Sequence, residues 1–313
     1  MNDPKGKGDD TEVETTGHVW DGDLQELNNP LPGWWVWAFY GSVIFAVVYW
    51  FLYPAWPIGK TFTKGFETVT YTQADGKQKT VPWSTRAEFV HDMQSGPEAL
   101  KQKAWLDKAS QASMRQLETD PQLLDFTMKI GKRLFGDNCA ACHGAGGQGV
   151  LGHYPNLTDD AWLWGGSLNT IRQTIAQGRH GFMPAFKGSF SQTEVVDLAE
   201  FVLSLSGTPG GNAAAIQRGA QIFRSDQSGC FYCHTKAGTG NRVVGSANLA
   251  DKVWTIANVP GATTYTAKIA AVSAVINKGV QRQMPAWDHR LSQTEIKLLA
   301  VYVHALGVAS SDA

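Results

Sequence analysis

Cys139-Ala-Ala-Cys142-His143 and Cys230-Phe-Tyr-Cys233-His234 decide how this chain is read. The two motifs hold all four cysteines of the 313 residues, so none is left for a disulfide framework. Thiols separated by two residues add to the vinyl groups of a haem, and the histidine that follows meets the iron from one side. The pattern therefore predicts two covalently attached haem c groups. Zinc is the other cofactor these residue types serve, but zinc ribbons place their cysteine pairs much closer together than this. A thioredoxin-like dithiol would follow a strand, whereas both motifs here follow helical sequence.

The motifs are anchors of a longer repeat. Asn156-Leu157-Thr158-Asp159 with Trp162 corresponds to Asn248-Leu249-Ala250-Asp251 with Trp254. Gly178 precedes Met183-Pro184-Ala185-Phe186 as Gly279 precedes Met284-Pro285-Ala286-Trp287, and Ser-Gln-Thr-Glu follows each, at Ser191 and at Ser292. Serine with glutamate three positions on is a capping box, which predicts a helix start in each half. Apolar residues at helical spacing follow both, and Gly207 and Gly307 are expected to stop the two helices. Ahead of the cysteines, Asp120-Pro121 caps one predicted helix and residues 214–223 form another. Residues 208–212, Thr-Pro-Gly-Gly-Asn, make a short linker, so the halves should pack together.

The sixth iron ligands should lie downstream of the cysteines. Beyond Met128 the only methionines are Met183 and Met284, each held by a following proline in an extended loop where its thioether can be aimed. The metal ligands read from sequence are thus His143, Met183, His234 and Met284. Which methionine serves which haem stays open. An isolated cytochrome c domain holds its own, which puts own-domain ligation slightly ahead, yet two domains packed face to face could exchange loops without altering any spacing. His180 has Gln281 as its counterpart and is expected at the surface or against a propionate, while His18, His91, His153, His289 and His304 are expected to be structural or exposed. With both axial positions filled, a haem is left with one-electron transfer.

No charged residue lies between Glu26 and Lys60. Residues 34–53 are almost wholly apolar, framed by tryptophans and tyrosines and closed by Pro54 and Pro57, as one transmembrane helix requires. Lys60 and Lys64 follow the helix and by the positive-inside tendency would keep the C-terminal part in the cytoplasm. Haem attachment to such motifs belongs to the periplasmic side of bacteria, and long domains translocate largely regardless of charge. The expected topology is therefore an acidic cytoplasmic segment at 1–33, one span of the bacterial inner membrane, and haem domains in the periplasm. A net charge of -1 and an acidic start argue against nucleic-acid binding.

The fold expected is mainly α: the N-terminal transmembrane helix, a spacer or docking segment at 54–120 with a hairpin around Asp75-Gly76 and then polar helices, and two tandem class I cytochrome c domains at 121–207 and 213–309.

His18-Val-Trp-Asp-Gly22, then Asn28-Asn-Pro-Leu-Pro-Gly-Trp-Trp35 entering the membrane helix, and the two cytochrome domains together resemble the dihaem subunit of bacterial cbb3-type cytochrome c oxidases, over nearly the whole chain. The resemblance implies a donor in soluble cytochrome c or quinol-cytochrome c reductase. Electrons would pass to a monohaem cytochrome c subunit and on to a catalytic haem-copper subunit that reduces oxygen and pumps protons, with no oxygen-reducing site on this chain. The competing readings are a dihaem peroxidase, against which the equal Met-Pro motifs speak, and a cytochrome of another membrane redox complex. Pro155 stands before Asn156, but Ala247 stands at the matching place in the second half, a departure from the cytochrome c pattern.

Overall fold

The structure is a computed structural model that describes residues 14–309; the first thirteen residues of the acidic segment lie outside it. The chain divides into two compact units, one running to Gln102 and the other starting at Lys103.

In the first unit, β1 (Thr15–Trp20) and β2 (Leu24–Leu27) pair antiparallel. Asp21 and Gly22 turn the chain between them with φ of 53° and 88°, the left-handed backbone that Asp-Gly supplies to tight hairpins. The stretch His18 to Gly22 is thus one side and the tip of a hairpin. Helix α1 (Gly33–Leu52) follows Pro32 and ends before Pro54, and none of its residues is buried against protein. At 20 residues with a mean hydropathy of 1.7 it has the length and composition to cross a membrane. A helix apolar on all sides with no protein cover needs lipid around it.

Beyond it, β3 (Pro57–Ile58) pairs with β4 (Thr61–Phe62), and β5 (Thr68–Thr72) pairs with β6 (Gln78–Pro82) around Asp75-Gly76, as the sequence predicts. Helix α2 (Thr85–Ser95) docks on β5. There His91 Nδ1 donates to Thr70 O at 2.9 Å, and the Gln94 amide both accepts from Thr72 N–H and donates to Thr72 O. Helix α3 (Pro97–Gln111) runs across the division at Gln102.

The second unit holds α4 (Met114–Thr119), α5 (Pro121–Asn138), α6 (Ala140–His143), α7 (Leu168–Gln177), β7 (Arg179–Met183), α8 (Gln192–Leu205), α9 (Ala213–Phe223), α10 (Cys230–His234), α11 (Tyr265–Lys278), β8 (Val280–Met284) and α12 (Gln293–Ala309). Both capping boxes are formed: Ser191 and Ser292 each accept from the glutamate N–H three residues on, and that glutamate accepts from the serine N–H. Asp120 caps α5 by accepting from Gln122 and Leu123.

The packing of these helices does not follow their order in the chain. Helices α8 and α9 are joined by the seven residues 206–212 and pack on each other, and α11 completes their core. A connection this short suits an antiparallel helix pair. Since α8 is thereby taken by the second half, the face of α5 is covered instead by α12, the last helix of the second half, which also packs on α7. The halves are tandem in sequence but exchange their C-terminal helices in space.

Gly307 does not stop α12, which continues to Ala309. Its lack of a side chain serves packing: a Cβ there would lie 2.8 Å from the Trp162 ring of the first half. The stretch 54–120 is not a uniform spacer either. Ala109 and Leu117 are fully buried against Leu298 and Val301 of α12, and Lys297 Nζ donates to the carbonyls of Ser110 and Ala112 at 2.9 and 2.7 Å, so its last part belongs to the haem-motif body.

Candidate cofactor site

Helix α5 runs directly into the first cysteine motif, α9 leads to the second through residues 224–229, and each motif is coiled in a single helical turn. His143 N–H donates to Cys139 O at 2.9 Å, which sets both cysteines and the histidine on consecutive corners of that turn. None of the four cysteines is in a disulfide. Burial pushes the Cys139 thiol up to about 11 and raises Cys230 as well. Among the described residues no three His, Cys, Asp or Glu side chains converge as a bare metal ion would require. A cofactor that brings most of its own metal ligands suits this arrangement.

Each motif histidine is oriented from behind. His143 Nδ1 lies 3.1 Å from Pro155 O, and His234 Nδ1 lies 2.9 Å from Ala247 O. A carbonyl only accepts, so Nδ1 carries the proton and Nε2 keeps its lone pair for a metal. Burial lowers both histidines' proton affinity, with the carbonyl bonds acting the other way, and the neutral imidazole is the ligating form. Ala247 replaces Pro155 without loss of this bond, because the site uses the carbonyl and not the proline ring.

Both motifs line one cavity of about 800 Å³, together with Met183, Met284, Trp162 and Trp254, toward the upper end of the roughly 300–1,000 Å³ typical of small-molecule sites. The methionines reach it on crossed strands. β7 and β8 pair antiparallel, with Arg179 opposite Met284 and Met183 opposite Val280, so each strand carries its methionine to the other half. Met284 packs against the buried cluster that holds Leu134, Phe135, Ile171 and Ile175 of the first half. Phe186, three residues past Met183, packs against the buried cluster that holds Phe223, Val272 and Ile276 of the second.

Backbone bonds lock the exchange in both directions. Phe186 N–H donates to Ile276 O at 3.0 Å, closing the end of α11, and Trp287 N–H donates to the Ile175 and Ala176 carbonyls at 3.1 Å, closing α7. These satisfy terminal helix carbonyls that would otherwise lack partners. Gly178 and Gly279 cap the same helices at φ of 70° and 68°. A Cβ on Gly178 would collide with the backbone of Met284 to Ala286, and one on Gly279 with that of Met183 to Ala185. The sequence leaves open which half each methionine serves, with own-half ligation only slightly ahead; each Met-Pro loop lies against the other half.

His180 lies on the exposed face of β7, away from Met183. His304 pairs with Glu118 at 2.9 Å. The sequence reading missed Gly131 and Gly219, where helices cross so closely that a Cβ on Gly131 would lie 2.6 Å from Tyr302 Cβ and one on Gly219 would strike the Asp197 carbonyl. Their signal was available in the recurrence of Gly-x-x-x-Phe, as Gly131 with Phe135 and Gly219 with Phe223.

Comparison with known proteins gives the family. A family model described as the N-terminal domain of cytochrome oxidase-cbb3, FixP, matches residues 12–60. A second, described as cytochrome c oxidase, cbb3-type, subunit III, matches 126–202 and again 214–303. The chain is 41% identical over 301 residues to a cbb3-type cytochrome c oxidase subunit FixP of Azorhizobium caulinodans, covering 94% of this chain and 92% of that one. It is 38% identical to subunit CcoP of Azospirillum brasilense, covering 94% and 95%. With subunit CcoP of Cereibacter sphaeroides the identity is 35%, and the cover is 95% of both.

Proposed function

The chain belongs to the subunit III family of cbb3-type cytochrome c oxidases, the membrane-anchored electron-transfer subunit that carries haem c, and from that premise we propose that it holds two haems whose axial ligands are drawn crosswise from its two halves. Cys139 and Cys142 would attach one haem, which His143 and Met284 would also hold. Cys230 and Cys233 would attach the second, which His234 and Met183 would also hold. The observation that carries this reading is the reciprocal crossing of the Met-Pro loops into a cavity where both histidines present Nε2.

The haems, when bound, supply one-electron exchange at iron. The protein's part is orientation and exclusion of water. The carbonyls of Pro155 and Ala247 hold the imidazoles in place, and Trp162, Trp254 and the apolar walls dry the cavity. A thioether ligand and a dry site both raise the potential, which suits electrons moving toward a strong oxidant. With both axial positions filled the chain reduces no oxygen itself. It takes electrons from a soluble cytochrome c or a quinol-cytochrome c reductase and passes them to a monohaem cytochrome c subunit and a catalytic haem-copper subunit. Residues 1–33 lie in the cytoplasm, and everything after α1 lies in the periplasm.

The test is purification from native membranes followed by mass analysis of the denatured chain. Two haem additions and co-purifying oxidase subunits are expected; a single haem, or a chain that leaves the membrane alone, contradicts the reading.

A further inference from the structure

The two strands that carry the methionines also carry an arginine that has no counterpart. In the repeat, Gly181 and Arg282 are equivalent, each two residues before its methionine. In the ribbon these two residues stand directly opposite each other. A residue that pairs with its own repeat equivalent marks the local two-fold relation between the halves, so Arg282 sits on the line where the two cofactor cradles meet. Strand alternation puts it on the inner face with Val280 and Met284.

Its guanidinium is incompletely satisfied. Nη2 donates to Thr255 O at 3.2 Å, while Nη1 is cut off from solvent and has no hydrogen-bond partner. Among the described residues no carboxylate forms an ion pair with it. The other inward arginine of the ribbon differs: Arg179 donates from Nε to Thr174 Oγ1 at 3.0 Å and lies 5.1 Å over the Trp164 ring. A buried N–H of a cation left unpaired is costly, and a charge so placed calls for an anion. The space beside it is open, since a Cβ on Gly181 would meet nothing within 4 Å, and both residues line the cavity shared by the two cysteine motifs.

We infer that Arg282 is the counter-ion of a haem propionate at the boundary between the two haems, one cation set on the two-fold line to hold negative charge where the cofactors approach each other. The inference rests on both cradles holding haem, as proposed above. A haem is attached to its cysteines along its vinyl edge and keeps two carboxylates on another, and those carboxylates are the anions this cavity would receive. Glycine at 181 follows from the same geometry, because a second arginine there would set two cations side by side. Arg282 is a positioning residue that acts on the iron through the propionate.

The experiment is redox titration of the full-length membrane-anchored chain as wild type, Arg282→Gln and Arg282→Lys, with haem content and the sulfur-to-iron band recorded for each. Loss of the positive charge is expected to disfavour reduction of at least one haem about tenfold, a fall of about 59 mV for a one-electron couple, with two haems and both methionine bonds retained. Lysine should restore most of the shift. Unchanged potentials in a glutamine variant that still carries two haems overturn the inference and leave the dihaem reading standing, whereas a wild-type chain with fewer than two haems overturns that reading first. If the glutamine variant fails to assemble, Arg282→Asn and Arg282→Ala are titrated in its place: a fall of the same sign in a variant that carries two haems supports the inference, and wild-type potentials there overturn it.

Discussion

The first and second haem-motif halves use the same offsets, the same capping boxes and the same histidine-to-carbonyl bond, yet their borrowed helices are covered differently. Helix α12, lent to the first motif, is apolar on two faces: Ile296, Leu299, Ala300 and Val303 meet α5 and α7, while Leu298 and Val301 meet the layer of α3 and α4. Helix α8, lent to the second motif, has no such second layer among the described residues and buries charge instead. Asp197 receives Arg218 through two hydrogen bonds of 2.6 and 2.7 Å, and Glu200 accepts from the Tyr265 hydroxyl at 2.5 Å and from Asn212 N–H. A duplicated sequence keeps what the cofactor demands and lets the outer face follow whatever covers it.

The comparison can be broken most severely through the apolar helix. Leu299 is fully buried between α5 and α7, so Leu299→Ala should cost about 2–5 kcal/mol. The cost should appear first as lost methionine ligation at the haem on Cys139 and Cys142, although the substitution lies in the second half. Thermal unfolding followed separately at the two haem signals would check this; a loss confined to the haem on Cys230 and Cys233 would mean that α12 serves its own half.

How much of this was legible follows from what each signal encodes. The motifs, both capping boxes, the Asp75-Gly76 hairpin and the membrane helix are local, and local chemistry specifies them. The exchange is not local. Own-half and crossed packing leave every spacing identical, because the repeat determines which surfaces are complementary without determining which copy supplies them. The short linker at 206–212 was the available clue, since it lets α8 fold back on α9. Gly307 misled for a related reason: a glycine near a helix end reads as a stop, but here it makes room for Trp162, a residue far away in sequence. Arg282 gave no sequence signal beyond breaking the repeat.

A finer probe of the comparison lies at Asp159 and its equivalent Asp251. Both carboxyls are raised above the usual range, chiefly by burial, and Asp159 is raised further by Asp160 and by Asp251 itself. For a carboxyl raised in the folded state, the stabilising contribution is full below the ordinary carboxylate range and is lost as pH rises through the folded value. At neutral pH the charged pair therefore opposes folding. Asp159→Asn retains an oxygen to accept from Ala161 N–H and should add a few tenths of a kcal/mol, small because solvent screens a half-buried group. Denaturant unfolding at neutral pH and again below pH 4 would check it, with the gain expected only at the higher pH.

The crossing itself is tested most directly in a full-length chain reduced to one haem. With Cys230 and Cys233 replaced by serine, only the haem on Cys139 and Cys142 remains, and its ferric sulfur-to-iron charge-transfer band reports its methionine without ambiguity. The structure predicts that the band survives Met183→Leu and disappears with Met284→Leu; disappearance with Met183→Leu and survival with Met284→Leu would contradict the crossed assignment.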